Sequence, residues 1–464
     1  MKIFYIDLDG TLLKKPDYNF TSTDVKALKK AQERGAKFGI ASGRSHVEID
    51  YLEREHGLTS NLTIGLNGMV VKKDQDLIIS KLDQEVLDVL LKHNIEFEAQ
   101  DGGNRVFSSQ EEHDFIPKVL GTNMFVTREL EKFDIKKIVI RQLFNERPLD
   151  EIKGIIEGAC SARYNYFCID NKTIEIVRKD VSKGNAIKEH FSDSEVIAIG
   201  DSHNDREMIL LADQGYIMRN ALPELREELK GRGAIEIGDV FEAVEVEIAD
   251  IKGVLFDLDG VIADTAKYHY LAWREVAKRY DIELCEGFNE NLKGVSRRES
   301  LEKILGIKNI VLPEEEFKSV LKEKNELYIN YLEELGEDSI LPGIKEFLID
   351  LKRSNKRVAV ASASKNAPYI LEKLELLKYI DYIADPGSIE RGKPEPDIFL
   401  DAARGIGLKT DEVVGIEDSQ AGVDALYRAN MLSIGIGDLR NSLYNLESTG
   451  ELLDKKTRRL IFKG

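Results

Sequence analysis

Two short runs place aspartates where covalent chemistry could occur. Residues 3–10 read Ile-Phe-Tyr-Ile-Asp-Leu-Asp-Gly, and residues 254–260 read Val-Leu-Phe-Asp-Leu-Asp-Gly. In each, an apolar, β-favouring run ends in Asp-x-Asp-Gly. The first carboxylate of such a pair can attack phosphorus and carry the phosphoryl group as an acyl phosphate. The second, two residues on, can exchange a proton with the leaving oxygen. Carboxylate and phosphate repel, so a divalent cation, a lysine and oriented hydroxyl or N–H donors must offset the charge around the phosphoryl oxygens.

Both halves supply this set in the same order. In the first, Asp7 and Asp9 are followed by Ser42 in Ala-Ser-Gly-Arg, by Lys183 in Ser-Lys-Gly, and by Asp201 and Asp205 in Gly-Asp-Ser-His-Asn-Asp. In the second, Asp257 and Asp259 are followed by Ser362 in Ala-Ser-Ala-Ser-Lys-Asn, by Lys393 in Gly-Lys-Pro-Glu-Pro-Asp, and by Glu417-Asp418. Hard oxygen ligands without His or Cys point to Mg²⁺, one per site. The candidate ligands are Asp7, Asp9, Asp201 and Asp205, then Asp257, Asp259, Glu417 and Asp418. Asp-x-Asp-Gly alone would be no more than a strand end and an Asx turn. The ordered set, present twice, carries the reading.

The elements around these residues alternate. Amphipathic Asp24–Arg34 precedes strand-like Ala36–Ala41, and Glu195–Gly200 is another strand candidate. In the second half Ile344–Ser354 precedes Arg357–Ala361, and Glu412–Ile416 and Leu432–Ile436 read as strands. Strands alternating with helices predict an α/β fold, here two parallel sheets in tandem with helices on both faces. Uniformly apolar strands suit sheet centres, and the Asp pairs then fall at carboxyl ends, where open α/β sheets bind ligands. Residues ~82–178 mix strand and helix patterns, whereas ~265–338 are almost wholly helical with many Glu and Lys. The join near 245–252 has no Gly/Ser- or Pro-rich linker, which predicts halves that sit close together.

The chain has 464 residues, enough for roughly three folding units at about 150 residues each. Asp plus Glu outnumber Lys plus Arg by 84 to 66, a net charge of −18, which argues against nucleic acid or an anionic membrane as partner. No apolar run approaches the ~18 residues of a membrane span. Asp7 and Asp9 inside the first apolar stretch are wrong for a signal peptide. Cys160, Cys168 and Cys285 are too few and scattered for a disulfide framework or a zinc site. The expectation is a soluble, reduced, cytoplasmic protein.

These motifs resemble the haloacid dehalogenase superfamily of phosphotransferases over nearly the whole chain. The first half resembles its Cof-like subfamily, through Leu66-Asn67-Gly68 and the Gly-Asp-Ser-His-Asn-Asp-Arg-Glu-Met run at 200–208. The second resembles the β-phosphoglucomutases, through Asp-Thr-Ala-Lys-Tyr-His (264–269), Leu-Lys-Gly-Val-Ser-Arg (292–297), the Ser362 motif and Glu-Asp-Ser-Gln-Ala-Gly (417–422). The resemblance implies Rossmann-like cores at 1–81 with 179–247 and at 250–264 with 339–464. It also implies an α/β cap at 82–178 and a small helical cap at 265–338.

A mutase must bind a second phosphoryl group. Arg297 can fork onto phosphate oxygens, and Ser364, Lys365 and Asn366 directly follow Ser362. The resemblance adds Ala363 and a cap lysine, Lys324, that reaches the substrate. It makes His269 a hinge-proximal residue that helps hold Asp259 or the sugar. Trp273, one turn on, reads equally well as plain core. The implied activities are interconversion of β-glucose 1-phosphate and glucose 6-phosphate through a bisphosphate in the second half, and hydrolysis of a small phosphate ester in the first. No far-end phosphate set is visible in the first half, and Arg44 is a candidate substrate contact there. Two phosphatases, or a first half that only binds a metabolite, are the alternatives.

Overall fold

The computed structural model describes the chain apart from residues 15–18, 74–75, 118–121, 161–162, 171, 191–193, 290–291, 293–296 and 463–464, and apart from the side chains of 168–170, 190, 266, 286 and 289. Most of the 292–297 motif therefore lies outside the described residues. The chain divides into two compact units, Met1–Ile248 and Ala249–Gly464.

The core of the first unit is an eight-stranded sheet. Its order is Ile235–Ile237, Gln214–Met218, Glu195–Gly200, Lys2–Ile6, Lys37–Ala41, Leu62–Gly65, Val70–Lys73 and Asp76–Ile79. The first six are parallel, and the last two form an antiparallel hairpin at one edge, an addition to the expected parallel sheet. Ile3, Phe4, Tyr5 and Ile6 are 0% exposed, as a strand covered on both faces requires. Lys2–Ile6 lies between Lys37–Ala41 and Glu195–Gly200, so the chain leaves it in opposite directions along the sheet. That reversal opens a crevice at its carboxyl end, where Asp7 follows.

Between the hairpin and the helix Lys183–His190, a second sheet of six strands is inserted. Strands Glu98–Gln100, Asn104–Phe107, Lys137–Arg141 and Thr173–Arg178 put mostly aliphatic residues on one face and mostly polar ones on the other, with Phe107 and Val139 on the polar side. Ala99, Val106, Ile138, Ile140, Ile174 and Ile176 pack against Val86, Leu90, Ile152 and Ile156 of two covering helices. The intervening positions carry Glu98, Gln100, Arg105, Lys137, Arg141 and Glu175, which share the other face.

The second unit has a six-stranded, wholly parallel sheet. Its order is Tyr382–Ile383, Arg357–Val360, Gly253–Phe256, Val413–Glu417, Leu432–Ile436 and Tyr444–Leu446. Gly253–Phe256 holds the same switch position, and Asp257 follows it. Helices Ala266–Lys278, Arg297–Gly306 and Glu314–Leu332 form the insertion around a core that includes Trp273, Val276, Leu301, Ile304 and Phe317. No helix among the described residues is long and apolar enough to cross a membrane.

The inserted sheet stands on its buried aliphatic face. Ile138→Ala, at a fully buried position, is expected to cost about 2–5 kcal/mol, read as a lower denaturant midpoint.

Candidate active sites

Each central strand delivers its aspartate into a buried ionic cluster. Asp7 N–H bonds to Ile199 O at 3.0 Å, and Asp257 N–H to Ile416 O at 3.0 Å, so sheet pairing continues up to the aspartate. Lys183, on the first residue of its helix, donates to Asp7 Oδ1 at 2.7 Å and to Asp205 Oδ1 at 2.6 Å. Lys393 donates to Asp257 Oδ1 at 2.7 Å and also to Glu417 Oε1. Both lysines are buried. Burial opposes their charge, but Asp205 and Asp7 outweigh it at Lys183, as Asp257 and Glu417 do at Lys393, and hold both pKa values above the usual lysine range.

The acids farther along the chain are oriented by backbone. Asp205 Oδ2 accepts from the N–H groups of Asp201 and Ser202, each at 3.1 Å. Glu417 Oε2 accepts from Ser419 N–H at 2.9 Å and its hydroxyl at 2.8 Å. Asp7, Asp201 and Asp205 bring carboxylate oxygens within 4.8 Å of one another, as do Asp257, Glu417 and Asp418. Burial and the Asp205 charge push Asp7 well above the carboxylate range against the opposing pull of Lys183; burial and Asp205 also raise Asp201 to about 7. Burial raises Asp257 too, with Glu417 adding to it and Lys393 opposing. Each cluster therefore holds more negative charge than its lysine balances, and all donors are hard oxygens. A divalent cation such as Mg²⁺ fits that donor set and that charge.

The motif glycines leave room for these acids. Gly10 has φ +92°, and a Cβ there would stand 2.1 Å from Asp201 Oδ2; Gly260 has φ +80°, and its Cβ would stand 2.1 Å from Asp418 Oδ2. Only glycine fits both the conformation and the approach.

Asp9 and Asp259 stand apart from these clusters. Arg44 clasps Asp9 with Nε on Oδ2 at 2.8 Å and Nη2 on Oδ1 at 2.6 Å. Asp259 Oδ1 accepts from Thr265 Oγ1, and His269 Nε2 lies 3.9 Å from Asp259 Oδ2. Side-chain metal ligation by Asp9 or Asp259 is thus not part of either grouping. Both carboxylates sit instead where a proton-transfer group belongs, two residues past the first aspartate.

Ser42 and Ser362 each follow a strand beside the central one and are buried. Ser42 Oγ accepts from Arg44 N–H at 3.2 Å and Ser362 Oγ from Ser364 N–H at 3.1 Å. Asn366 Nδ2 reaches Asn325 Oδ1 of the helical insertion at 2.9 Å. Ala363 is half-buried, and Lys365 is exposed at the end of the same turn.

Lys324, from the insertion, is buried with its Nζ 2.8 Å from His269 Nδ1 and 4.9 and 4.6 Å from the ring centres of Trp273 and Tyr328. Burial, Lys324 and Arg297 hold His269 well below its ordinary pKa, and burial and Arg297 push Lys324 well below its own. Trp273 is accordingly both core and one wall of a cation-binding aromatic corner. Arg297 opens its helix, half-buried, and its charge is felt by both Lys324 and His269.

In the first unit a cavity of about 1350 Å³ separates the core site from the inserted sheet, lined among others by Asp7, Ser42, Arg44, Arg105 and Arg141. Lys137 donates to Gly43 O at 2.6 Å and to Glu175 Oε1 at 2.7 Å, while Asn67 Nδ2 donates to Glu175 Oε2 at 2.7 Å, joining cap to core. Sequence reasoning overlooked Thr265, Tyr328, Lys137, Glu175, Arg105 and Arg141. The last four had only a weak signal: in Lys-Ile-Val-Ile-Arg (137–141) the apolar Val139 interrupts the alternation between Lys137 and Arg141.

Gly260→Ala should displace Asp418 and lower divalent-cation affinity of the second site at least tenfold, as measured by calorimetry on a chain carrying Asp7→Asn. Retained affinity would mean that Asp418 is not a ligand.

Comparison with known proteins agrees with this geometry. Models of haloacid dehalogenase-like hydrolases match residues 4–231 and, separately, 251–430. The β-phosphoglucomutase of Bacillus subtilis is 42% identical over 189 residues, 40% of this chain and 84% of that protein. A phosphorylated carbohydrates phosphatase of Thermotoga maritima is 31% identical over 184 residues, 39% of this chain and 82% of that protein. A crystal structure of β-phosphoglucomutase from Clostridium difficile shares 42% identity, covering 45% of this chain and 96% of its own, with a TM-score of 0.44. With two matching domains and two complete motif sets, the chain belongs to the haloacid dehalogenase superfamily and carries two of its members in tandem.

Proposed function

We propose that the chain is a bifunctional phosphotransferase, with a β-phosphoglucomutase in the second unit and a small-molecule phosphatase in the first. The observation that carries the mutase reading is that the insertion rather than the core brings two basic side chains, Lys324 and Arg297, next to His269, with Lys324 also felt by Asp259. A phosphatase needs one phosphate site; a mutase passing through a bisphosphate needs a second. The similarity to β-phosphoglucomutases supports the same reading.

In this reading Asp257 Oδ attacks a phosphorus of a sugar bisphosphate and becomes the aspartyl phosphate, while the departing sugar oxygen takes a proton from Asp259. Ser362 and Lys393 donate to the transferring oxygens. Asp259, oriented by Thr265, takes the proton of the 6-hydroxyl of β-glucose 1-phosphate as that oxygen accepts the phosphoryl group. The bisphosphate reorients, its 1-phosphoryl passes back to Asp257 with the proton returned by Asp259, and glucose 6-phosphate leaves. Mg²⁺, held by Asp257, Glu417 and Asp418, supplies neutralisation of the approaching charges. Bonds such as Asn325–Asn366 and Tyr369–Glu333, at 2.9 and 2.7 Å, keep the insertion over the core and water away from the acyl phosphate.

The first unit runs the same chemistry with Asp7 as nucleophile, Asp9 as acid and base, and Ser42 and Lys183 as donors. Mg²⁺ is assigned there to Asp7, Asp201 and Asp205. Its wide cavity admits water, which makes hydrolysis the outcome.

Asp257→Asn should abolish β-glucose 1-phosphate conversion by roughly 10³-fold or more, while Mg²⁺-dependent release of phosphate from an aryl phosphate continues. Asp7→Asn should do the reverse. Loss of both activities in one well-folded variant would defeat this division of labour. Arg297→Ala should lower mutase turnover at least tenfold, yet scarcely slow phosphorylation of Asp257 by acetyl phosphate, which carries nothing at the far end. Equal damage to both steps would make Arg297 structural.

A further inference from the structure

The polar face of the inserted sheet carries two arginines that the phosphatase mechanism does not use. Lys137 and Glu175 on that face are engaged by Gly43 and Asn67 of the core. Arg105 and Arg141 instead converge on one carboxylate. Arg105 donates to Glu98 with Nε at 2.5 Å and Nη2 at 2.9 Å, and Arg141 Nη2 donates to the same group at 2.7 Å. Glu98 is 0% exposed and held down to about 2: the two guanidiniums outweigh its burial. Arg141 Nη1 donates to Glu112 Oε1 at 2.6 Å. Arg105 Nη1 and Arg141 Nε find no acceptor among the described residues, and both side chains line the cavity that holds Asp7.

Glu98 takes three of the four guanidinium bonds in this cluster and Glu112 takes one. Both arginines therefore keep N–H groups for a ligand in the cavity they line. Guanidinium forks suit oxyanions, which can accept from both side chains at once. Space is not limiting either. The cavity of about 1350 Å³ exceeds the roughly 300–1,000 Å³ of ordinary small-ligand sites.

We propose that Arg105 and Arg141 bind a second oxyanion, a carboxylate or a phosphate, at the end of the first unit's substrate remote from the phosphoryl group at Asp7. The substrate class is thus a phosphate ester with a second acidic group. This rests on the phosphatase reading only for the position of the near phosphate.

The test uses the full chain carrying Asp257→Asn, so that the second site is silent. Matched pairs separate the two anions: 6-phosphogluconate against glucose 6-phosphate for carboxylate, and fructose 1,6-bisphosphate against fructose 6-phosphate for phosphate. In at least one pair the acidic-tailed member should have a kcat/KM tenfold or more above its neutral partner, through KM. Arg105→Lys or Arg141→Lys should cut that ratio at least fivefold, whereas Glu98→Gln, which frees both guanidiniums, should raise it. Damage to the fold cannot produce these opposite signs. Binding of the same pairs is followed by calorimetry in a chain that also carries Asp7→Asn. Equal kcat/KM and equal affinity within both pairs, or variants that shift both members alike, would overturn the proposal. Tighter binding of an acidic member without turnover of any ester would overturn the phosphatase reading and leave the anion site standing.

Discussion

A lysine ammonium buried between two carboxylates is the interaction around which both units are arranged. Lys183 spans Asp7 and Asp205, and Lys393 spans Asp257 and Glu417. Removing three charges from water costs several kcal/mol per ion before any attraction is gained, so such a cluster forms only where the fold imposes it. The imposition comes from the sheet. Strands Lys2–Ile6 and Gly253–Phe256 are locked by parallel neighbours on both sides, and their last paired residues leave the aspartate no freedom to withdraw. The partner acids are pinned by backbone N–H groups at the end of the adjacent strand. Two acids per lysine leave a negative excess, which is the physical reason that a divalent cation belongs beside them.

The same core serves under two different covers. The helical insertion of the second unit sends a buried lysine down to a histidine that faces Asp259, in a space lined by Trp273 and Tyr328. The sheet insertion of the first unit stands off, leaving a cavity bounded by a charged face. Corresponding ion clusters thus see different dielectric surroundings and different access to water. Acyl-phosphate chemistry is sensitive to both.

The repeated Asp-x-Asp-Gly runs, the order of Ser, Lys and acid after them, and the alternation of strands with helices were legible in the chain itself. Their signals are local: an apolar run ending in acid, a glycine where the backbone must turn left, a helix opening on lysine. Glu195–Gly200 and Leu432–Ile436 even occupy the limits read from their composition. The edge hairpin Val70–Lys73 and Asp76–Ile79 escaped, because two four-residue strands, one half-buried and one exposed throughout, carry too short a pattern to betray them.

What the sequence determined by itself is therefore the superfamily, the two parallel sheets and the acids and lysines of each core, since strand burial and motif spacing act over a few residues. What tertiary structure alone decided is which charges meet across long separations. Asp9 is paired with Arg44 and Asp259 with Thr265, which sets both apart from the acid clusters. Arg105 and Arg141 come from separate strands and become neighbours only because Glu98–Gln100 lies between those strands in the sheet. Register, a property of the folded sheet, puts their side chains on one face around one carboxylate, and no local pattern encodes which strand will pair with which.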